Sequence, residues 1–95
     1  MELRGVRIAV PKSVVHRSFD AETVLLNLTS GTYHGLNPTG GRMFDLLAET
    51  GSFDATVAAL VEEYGQPEAV IARDLSQLCS ELEQRGLIEV DEPLS

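Results

Sequence analysis

Residues 24–36 read VLLNLTSGTYHGL, a pattern that predicts a β-hairpin. In its first half, side chains alternate along the chain as they do in a half-buried strand. The alternating apolar set consists of Val24, Leu26 and Leu28, set against Leu25 and Asn27. Three small residues ending in Gly31 then turn the chain, because glycine tolerates the positive φ of such turns. A second strand over Thr32–Leu36 completes the predicted hairpin.

A further strand is predicted upstream of the hairpin, where Val6, Ile8 and Val10 alternate with other residues. Pro11 lacks an N–H and suits an edge or a bend within this strand. Residues 19–22 are expected to turn the first strand into the hairpin. The sequence therefore predicts a three-stranded antiparallel N-terminal sheet, whose third strand is the second strand of the hairpin.

After Asn37, apolar residues recur with the 3.6-residue period of helices. Asn37 caps a first helix with Pro38 in its first turn, or Thr39 serves as the cap instead, and Gly51 ends this helix. Asp54 is expected to cap a second helix. The predicted apolar faces are Met43, Phe44, Leu46 and Leu47 in the first helix, and Val57, Leu60, Val61 and Tyr64 in the second.

A third helix is predicted between Pro67 and Arg85-Gly86, where a basic last turn and a glycine end it. Its apolar stripe consists of Ile71, Leu75, Leu78 and Leu82. A short strand follows over residues 87–90. This order describes an α+β domain that is winged helix-turn-helix-like, since only two residues separate the second and third helices. The 95 residues are one domain's length, so we expect a single domain over 1–95 with its core at about 6–90.

The net charge of −8 is distributed unevenly. Residues 1–42 carry five basic and three acidic side chains, a net charge of +2, which leaves −10 for residues 43–95. A winged helix suggests a DNA-binding transcriptional regulator, which is one alternative function. However, the third helix is acidic where DNA binding needs clustered Lys and Arg, so no nucleic-acid partner is expected. Its charged residues are Glu68, Asp74, Glu81 and Glu83 against Arg73 and Arg85.

Catalytic and cofactor chemistry finds little support in the side chains present. His16 and His34 both fall on predicted strands, and the lone Cys79 falls within a helix, where a thiol at the core margin is expected. The ligand spacings of known metal sites and the glycine spacing of phosphate loops do not occur. We therefore expect no enzyme activity, no catalytic residues, no cofactor and no metal.

A membrane partner is not expected either, because the sequence has no apolar run of bilayer-spanning length. The N-terminal residues are not followed by the apolar stretch of a signal peptide. A single cysteine cannot form an internal disulfide, which agrees with a reducing compartment. Cytoplasmic localisation is the resulting expectation.

A binding module is the remaining class, and the third predicted strand offers a mechanism for one. At a sheet edge, the unpaired N–H and C=O groups of Thr32–Leu36 can accept an extended peptide as a further strand, with side-chain pockets against the third helix. The alternative is an ordinary surface. In that interpretation the cross-strand surface contains Tyr33 and His34, and a solvated helix flank contains Val70, Asp74 and Gln77.

An ordered set of residues along the chain resembles a known family. The set is Leu25-Leu26-Asn27-Leu28-x-x-Gly31-x-Tyr33-x-x-Leu36-Asn37-x-Thr39-Gly40, then Met43-Phe44-x-Leu46-Leu47, Tyr64, and Val70-x-x-x-Asp74-Leu75-x-x-Leu78-x-x-x-Leu82-x-x-x-Gly86-Leu87-Ile88. It resembles the leader-peptide recognition domains, or RiPP recognition elements, of the pyrroloquinoline-quinone biosynthesis D protein family. These domains serve ribosomally made, post-translationally modified peptides. The resemblance covers residues 6–90.

The resemblance implies a non-catalytic fold of three strands and three helices, in which a precursor's leader joins the third strand and fills a groove against the third helix. The peptide-binding residues that it implies are Thr32, Tyr33, His34 and Gly35 in the strand, and Val70, Arg73, Asp74, Gln77 and Leu78 in the helix. Structural roles are implied for Leu36, Asn37, Thr39, Leu75 and Leu82. Asp74 pairs either with a basic leader residue or with the neighbours of Arg73, and Leu78 also lies on the core stripe.

The Gly-x-Tyr and Leu-Asn-x-Thr-Gly motifs are most similar to the freestanding domains of lasso-peptide clusters. That similarity implies delivery of the leader to a separate leader peptidase of transglutaminase-like type, and then to a cyclase. A chaperone for the precursor peptide of the quinone cofactor is the alternative within the family.

Overall fold

The computed structural model of the protein describes residues 3–20 and 22–91. Its strands are β1 (Arg7–Ala9), β2 (Val14–Phe19), β3 (Glu22–Asn27), β4 (Tyr33–Leu36) and β5 (Glu89–Asp91). Its helices are α1 (Pro38–Thr50), α2 (Phe53–Tyr64) and α3 (Glu68–Gln84). The α+β class is confirmed, and a winged helix-turn-helix-like shape agrees with this order of elements.

The predicted hairpin is confirmed as β3 and β4, which pair antiparallel. Together with β2 they form a three-stranded sheet in the order β2-β3-β4. At the turn, the Asn27 N–H donates to the Thr32 carbonyl at 2.8 Å, and the Gly31 N–H donates to the Asn27 carbonyl at 2.8 Å. Gly31 has a φ of 76°, the left-handed conformation that the turn residues predict. The predicted third strand is therefore β4, at one end of the sheet.

The prediction of a single strand before the hairpin is wrong. The structure has two strands there, β1 and β2, and they belong to different sheets. β1 pairs with β5 in a separate two-stranded sheet, whereas β2 pairs with β3. Between β1 and β2 the chain bends at Pro11, whose carbonyl accepts from the Val14 N–H at 3.0 Å. The turn expected over residues 19–22 joins β2 to β3, with Asp20 at a φ of 54°. Its Ala21 lies outside the described residues.

The phase of β3 is the reverse of the apolar alternation. The inner face buries Thr23, Leu25 and Asn27, whereas Val24 and Leu26 are half-buried on the outer face and Leu28 is exposed. Asn27 can lie on the inner face because its amide is hydrogen-bonded there. Its Oδ1 accepts from the N–H groups of Thr29 and Ser30, and its Nδ2 donates to the Gly86 carbonyl. A polar side chain with three hydrogen bonds can occupy a buried position.

Helix α1 begins as predicted, since the Asn37 side chain accepts from the Gly40 N–H at 2.8 Å and Pro38 occupies the first turn. Asn37 is thus the cap, and Thr39 is not. In α2 the expected cap is wrong. Ser52 caps the helix by accepting from the Ala55 N–H at 3.1 Å.

The predicted α2 cap, Asp54, makes a different contact. Asp54 accepts from the Gly5 N–H at 3.0 Å and so ties the N-terminal segment to α2. A second tie joins α1 to α2, where Arg42 donates to both carboxylate oxygens of Glu63 at 2.9 to 3.0 Å. This hydrogen bonding lowers the pKa of Glu63.

One core lies between the inner face of the sheet and the three helices. The apolar face predicted for α1 is buried throughout, whereas in α2 Tyr64 is exposed. In α3 the buried stripe is Ile71, Leu75, Cys79 and Leu82. Cys79 therefore takes the place that the sequence predicted for Leu78, which is half-buried on the flank of the helix.

Candidate functional site: the β4 edge and the α3 groove

Strand β4 has one open edge, because β3 pairs with it on one side and no other described strand pairs with it. Antiparallel ladders alternate, so every second residue bonds to the neighbouring strand. Thr32 bonds to Asn27 of β3, and the register pairs His34 with Leu25 at the next bonded position. The N–H and C=O groups of Tyr33 and Gly35 therefore point to the open edge, away from β3.

A groove of about 360 Å³ lies between this edge and α3. Its lining residues are His34, Gly35, Leu36, Asn37, Thr39, Gly40, Met43, Asp74, Gln77, Leu78 and Glu81. The exposed strand edge and the exposed flank of α3 thus form two walls of one groove. We call this the α3 groove.

The α3 groove contains five of the nine residues that the family resemblance implied for peptide binding. They are His34, Gly35, Asp74, Gln77 and Leu78. The other four lie around it. Thr32 immediately precedes β4, and Val70 lies one turn before Asp74 along α3. Arg73 lines an adjacent surface cleft that also contains Gln77.

The side chain of Tyr33 does not face the α3 groove. Successive side chains of a strand point to opposite faces, so Tyr33 shares the outer face with its register partner Leu26 and with Val15, the partner of Leu26 on β2. It is 71% exposed there. Tyr33 therefore contributes its main chain to the open edge and its ring to the outer face.

Sequence reasoning missed three lining residues of the α3 groove, namely Gly40, Met43 and Glu81. Helical spacing is a signal that finds Glu81, because positions 74, 77, 78 and 81 share one helix face. Met43 matched the buried face of α1, and it is 4% exposed, so that pattern gave only its core role. Of the residues expected to be structural, Leu36 is buried and Asn37 caps α1, whereas Thr39 is exposed and caps no helix. All three also line the groove.

The groove has an acidic wall. Within the described residues, its ionisable lining side chains are His34 on β4 and the carboxylates of Asp74 and Glu81 on α3. The Nε of Arg73 lies 3.6 Å from the Oδ1 of Asp74, but both side chains are well exposed. Exposed ion pairs of this kind contribute little to stability. The wall therefore favours a basic or neutral guest over an acidic one.

The other end of the sheet, β2, is also an edge. There the N–H of Leu28 donates to the Ser13 carbonyl, so the alternation leaves the main-chain groups of His16 and Ser18 pointing outward. The His16 ring lies 5.2 Å from that of Phe44 in an edge-to-face contact. A cleft of about 230 Å³ touches β2 only at Ser18. The open edge of β2 thus lacks the long helix wall that β4 has in α3.

A larger cleft, of about 520 Å³, lies between α2, the start of α3 and Arg4. Its apolar floor includes Phe53 and Val57, which already belong to the core. No open strand edge borders it in the described part of the chain. We therefore regard the α3 groove as the better candidate, although its volume is smaller.

The described residues offer few groups for covalent or metal chemistry. Burial raises the pKa of the Cys79 thiol to about 12, with a smaller contribution from the Glu83 carboxylate. Residues 3–20 and 22–91 contain no group of three or more His, Cys, Asp or Glu side chains that is able to hold a metal ion. Among the same residues, no helix has the length and hydropathy needed to cross a bilayer.

The sequence model of the coenzyme PQQ synthesis protein D (PqqD) family matches residues 22–88, from the first residue of β3 to the residue before β5. The chain belongs to the PqqD family. Among solved structures, the PqqD-family chain is similar to TbiB1 in complex with the TbiA(beta) leader peptide. The identity is 34% and the TM-score 0.79, over 85% of this chain and 94% of TbiB1.

A second structure, lasso peptide synthetase B1 complexed with the leader peptide, is 24% identical with a TM-score of 0.77. The match covers 87% of this chain and 98% of that protein, and it shows a shared fold. Among curated protein sequences, no significant match was found. The resemblance to RiPP recognition elements that the sequence suggested is thereby confirmed.

Proposed function

We propose that this PqqD-family protein binds the leader segment of a ribosomally made precursor peptide by strand addition to β4, against α3. In this function the protein is a binding module and not an enzyme. One observation carries the proposal. The open β4 edge borders the α3 groove in a chain 34% identical to TbiB1, whose structure was solved with a leader peptide.

The dimensions of edge and groove suit an extended guest. The four residues of β4 span roughly 13 Å at 3.3 Å per residue, and Asp74 to Glu81 rises roughly 10 Å at 1.5 Å per residue. Because the two lengths are similar, a guest strand bonded to β4 can also contact α3. The main-chain groups of Tyr33 and Gly35 supply affinity that does not depend on the guest's sequence.

Specificity arises where guest side chains enter the groove. The apolar part of its wall consists of Leu36, Met43 and Leu78, and the polar part includes Asp74 and Glu81. We expect a leader with an apolar side chain against the first set and a basic side chain toward the second. We therefore expect Asp74 to face the guest, since its contact with Arg73 is an exposed pair of adjacent residues.

Delivery is the second part of the proposal. A bound leader raises the local concentration of its precursor at a separate leader peptidase, for which the transglutaminase-like type is proposed, and then at a cyclase. We place the protein in lasso-peptide biosynthesis and in the cytoplasm. A leader from the precursor of the quinone cofactor is the alternative guest within the same family.

Titration of labelled leaders tests the proposal directly. Synthetic, fluorescein-labelled leaders are made from the short precursor frames adjacent to this gene, together with the leader of a quinone-cofactor precursor. Fluorescence anisotropy against the purified chain is expected to give saturable binding to one lasso-type leader, whereas a scrambled peptide of equal composition stays free. If every leader behaves like its scrambled control, the proposal is refuted. If the chain prefers the quinone-type leader, the lasso assignment is refuted but leader binding is not.

A further inference from the structure

Gly35 is a glycine that the protein's own fold does not require. Its φ lies outside the positive range that favours glycine, in contrast to Gly31 at 76°. A Cβ placed on Gly35 meets no heavy atom within 4 Å. At Gly41, by comparison, a Cβ would lie 2.6 Å from the Thr23 hydroxyl oxygen, so packing explains that glycine.

The position of Gly35 makes this absence of a side chain unexpected. It lies in the middle of β4, where a β-branched residue is favoured and glycine weakens the strand. A glycine inside a strand often marks a place where a ligand or another chain comes close. Gly35 is also one of the two residues whose main-chain groups point to the open edge.

The missing side chain leaves a notch on the outer face of the sheet. Val24 lies directly across from Gly35 in the register and is half-buried, so it borders the notch on the β3 side. Tyr33 lies two residues away on the same face and is largely exposed, so it forms one side. We call this the Gly35 notch. It borders the open edge of β4, along which a guest strand would lie.

We propose that Gly35 determines leader specificity, because the Gly35 notch receives one large apolar side chain, aromatic or leucine-sized, from the bound leader. The inference rests on the proposed function, since it requires a guest strand on β4. In an antiparallel guest, the residue bonded to Gly35 lies about 5.5 Å away between Cα atoms, and its side chain points to the outer face. A large side chain there can lean over the glycine and reach Val24, as aromatic residues do over cross-strand glycines.

The leader is then read on two faces. Guest residues opposite His34 and Leu36 point inward to the α3 groove, and the residue opposite Gly35 points outward to the notch. A side chain on residue 35 would fill the notch and displace the guest residue. The same side chain would stabilise the free protein, because residues with a side chain have a higher β-propensity than glycine.

A paired change in protein and leader tests the inference. The leader that binds the wild-type chain is measured by anisotropy against Gly35→Ala and Gly35→Val, and so is a set of leaders in which each large apolar residue is replaced by alanine. We expect Gly35→Val to raise the melting temperature by roughly 4 °C and to weaken the natural leader at least about tenfold, with Gly35→Ala between. One alanine-substituted leader should recover most of that affinity on Gly35→Val.

Arg17→Val is the matched control, because Arg17 lies on the same face and in the same cross-strand row, but on β2. It should leave the affinity for the leader unchanged. Equal binding of the natural leader to wild-type and Gly35→Val overturns the inference. A loss on Gly35→Val that no alanine-substituted leader recovers also overturns it. Failure of the wild-type chain to bind any leader is a different result, since that refutes the proposed function.

Discussion

Replacing Tyr33 with proline removes one hydrogen-bond donor from the open edge of β4 and leaves the rest of the sheet paired. The Tyr33 N–H points away from β3, so the β3–β4 ladder does not use it. Proline is also tolerated at the first residue of a strand, and Tyr33 is the first residue of β4. The Tyr33→Pro variant should therefore fold. Its matched control is Tyr33→Ala, which removes the same ring but keeps the N–H.

The expected loss follows from the hydrogen bond that the guest can no longer make. A guest carbonyl left unpaired against the proline ring costs about 1–3 kcal/mol, which corresponds to a roughly 5- to 150-fold weaker Kd. The comparison is between Tyr33→Pro and Tyr33→Ala, measured by anisotropy with the same labelled leader. Thermal unfolding followed by circular dichroism should give similar melting temperatures for the two variants.

A second proline variant shows which of the two open edges of the sheet binds the leader. The Ser18 N–H points to the open edge of β2, so Ser18→Pro blocks that edge, with Ser18→Ala as its control. Leader affinity should be equal in both Ser18 variants. If Tyr33→Pro binds the leader as tightly as Tyr33→Ala, the main chain of β4 is not the docking edge. If Ser18→Pro loses binding instead, the leader binds to the open edge of β2.

Three further outcomes are expected. Asn27→Ala should lower the free energy of unfolding by about 2–3 kcal/mol in urea titrations, since three hydrogen bonds at a buried position are lost. A change below about 0.5 kcal/mol would contradict that role. The double variant Asp74→Asn/Glu81→Gln should bind the leader more weakly and reduce the salt dependence of Kd; an unchanged salt dependence argues against a basic guest residue. With a pKa of about 12, Cys79 should resist thiol reagents at pH 8 until urea unfolds the chain. Rapid labelling of the native protein would refute its burial.

The sequence predicts the order and type of most elements because their signals are local. The turn ending at Gly31 and the cap at Asn37 depend on a few neighbouring residues, and both are confirmed. The split between β1 and β2 is different in kind. β1 pairs with β5, more than 75 residues away along the chain. No sequence pattern near Pro11 predicts that pairing.

The phase of β3 and the stripe of α3 were mispredicted for a shared physical reason. Hydrophobicity alone places Leu28 and Leu78 inside and Asn27 and Cys79 outside or at the margin. In the fold, Asn27 is buried because hydrogen bonds satisfy it, and Cys79 is small enough to pack at the centre of the stripe. Leu78 is thereby left for the groove. Hydrogen-bond partners and side-chain volume decide such cases, and neither is visible in an apolar pattern.

The sequence predicted a site between the third strand and the third helix, but the geometry of the groove between them was not predictable. The residues on β4 and those on α3 are about 40 positions apart, and their meeting in one groove depends on how α3 packs against the sheet. Family resemblance supplied five of the lining residues, and helical spacing would have added Glu81. The outward direction of Tyr33 follows from the pairing register, which requires the neighbouring strand to be known.

A binding site built on a strand edge has to solve a problem of selectivity. Main-chain hydrogen bonds at Tyr33 and Gly35 accept any extended peptide equally well, so they supply affinity without discrimination. Discrimination must come from side chains, and the alternation of a guest strand sends these to two faces. The α3 groove can test only the inward residues. The guest residue opposite Gly35 would point to the outer face instead. In the inference proposed above, the Gly35 notch accepts that side chain only when its size and shape fit, so the outer face also contributes to selectivity.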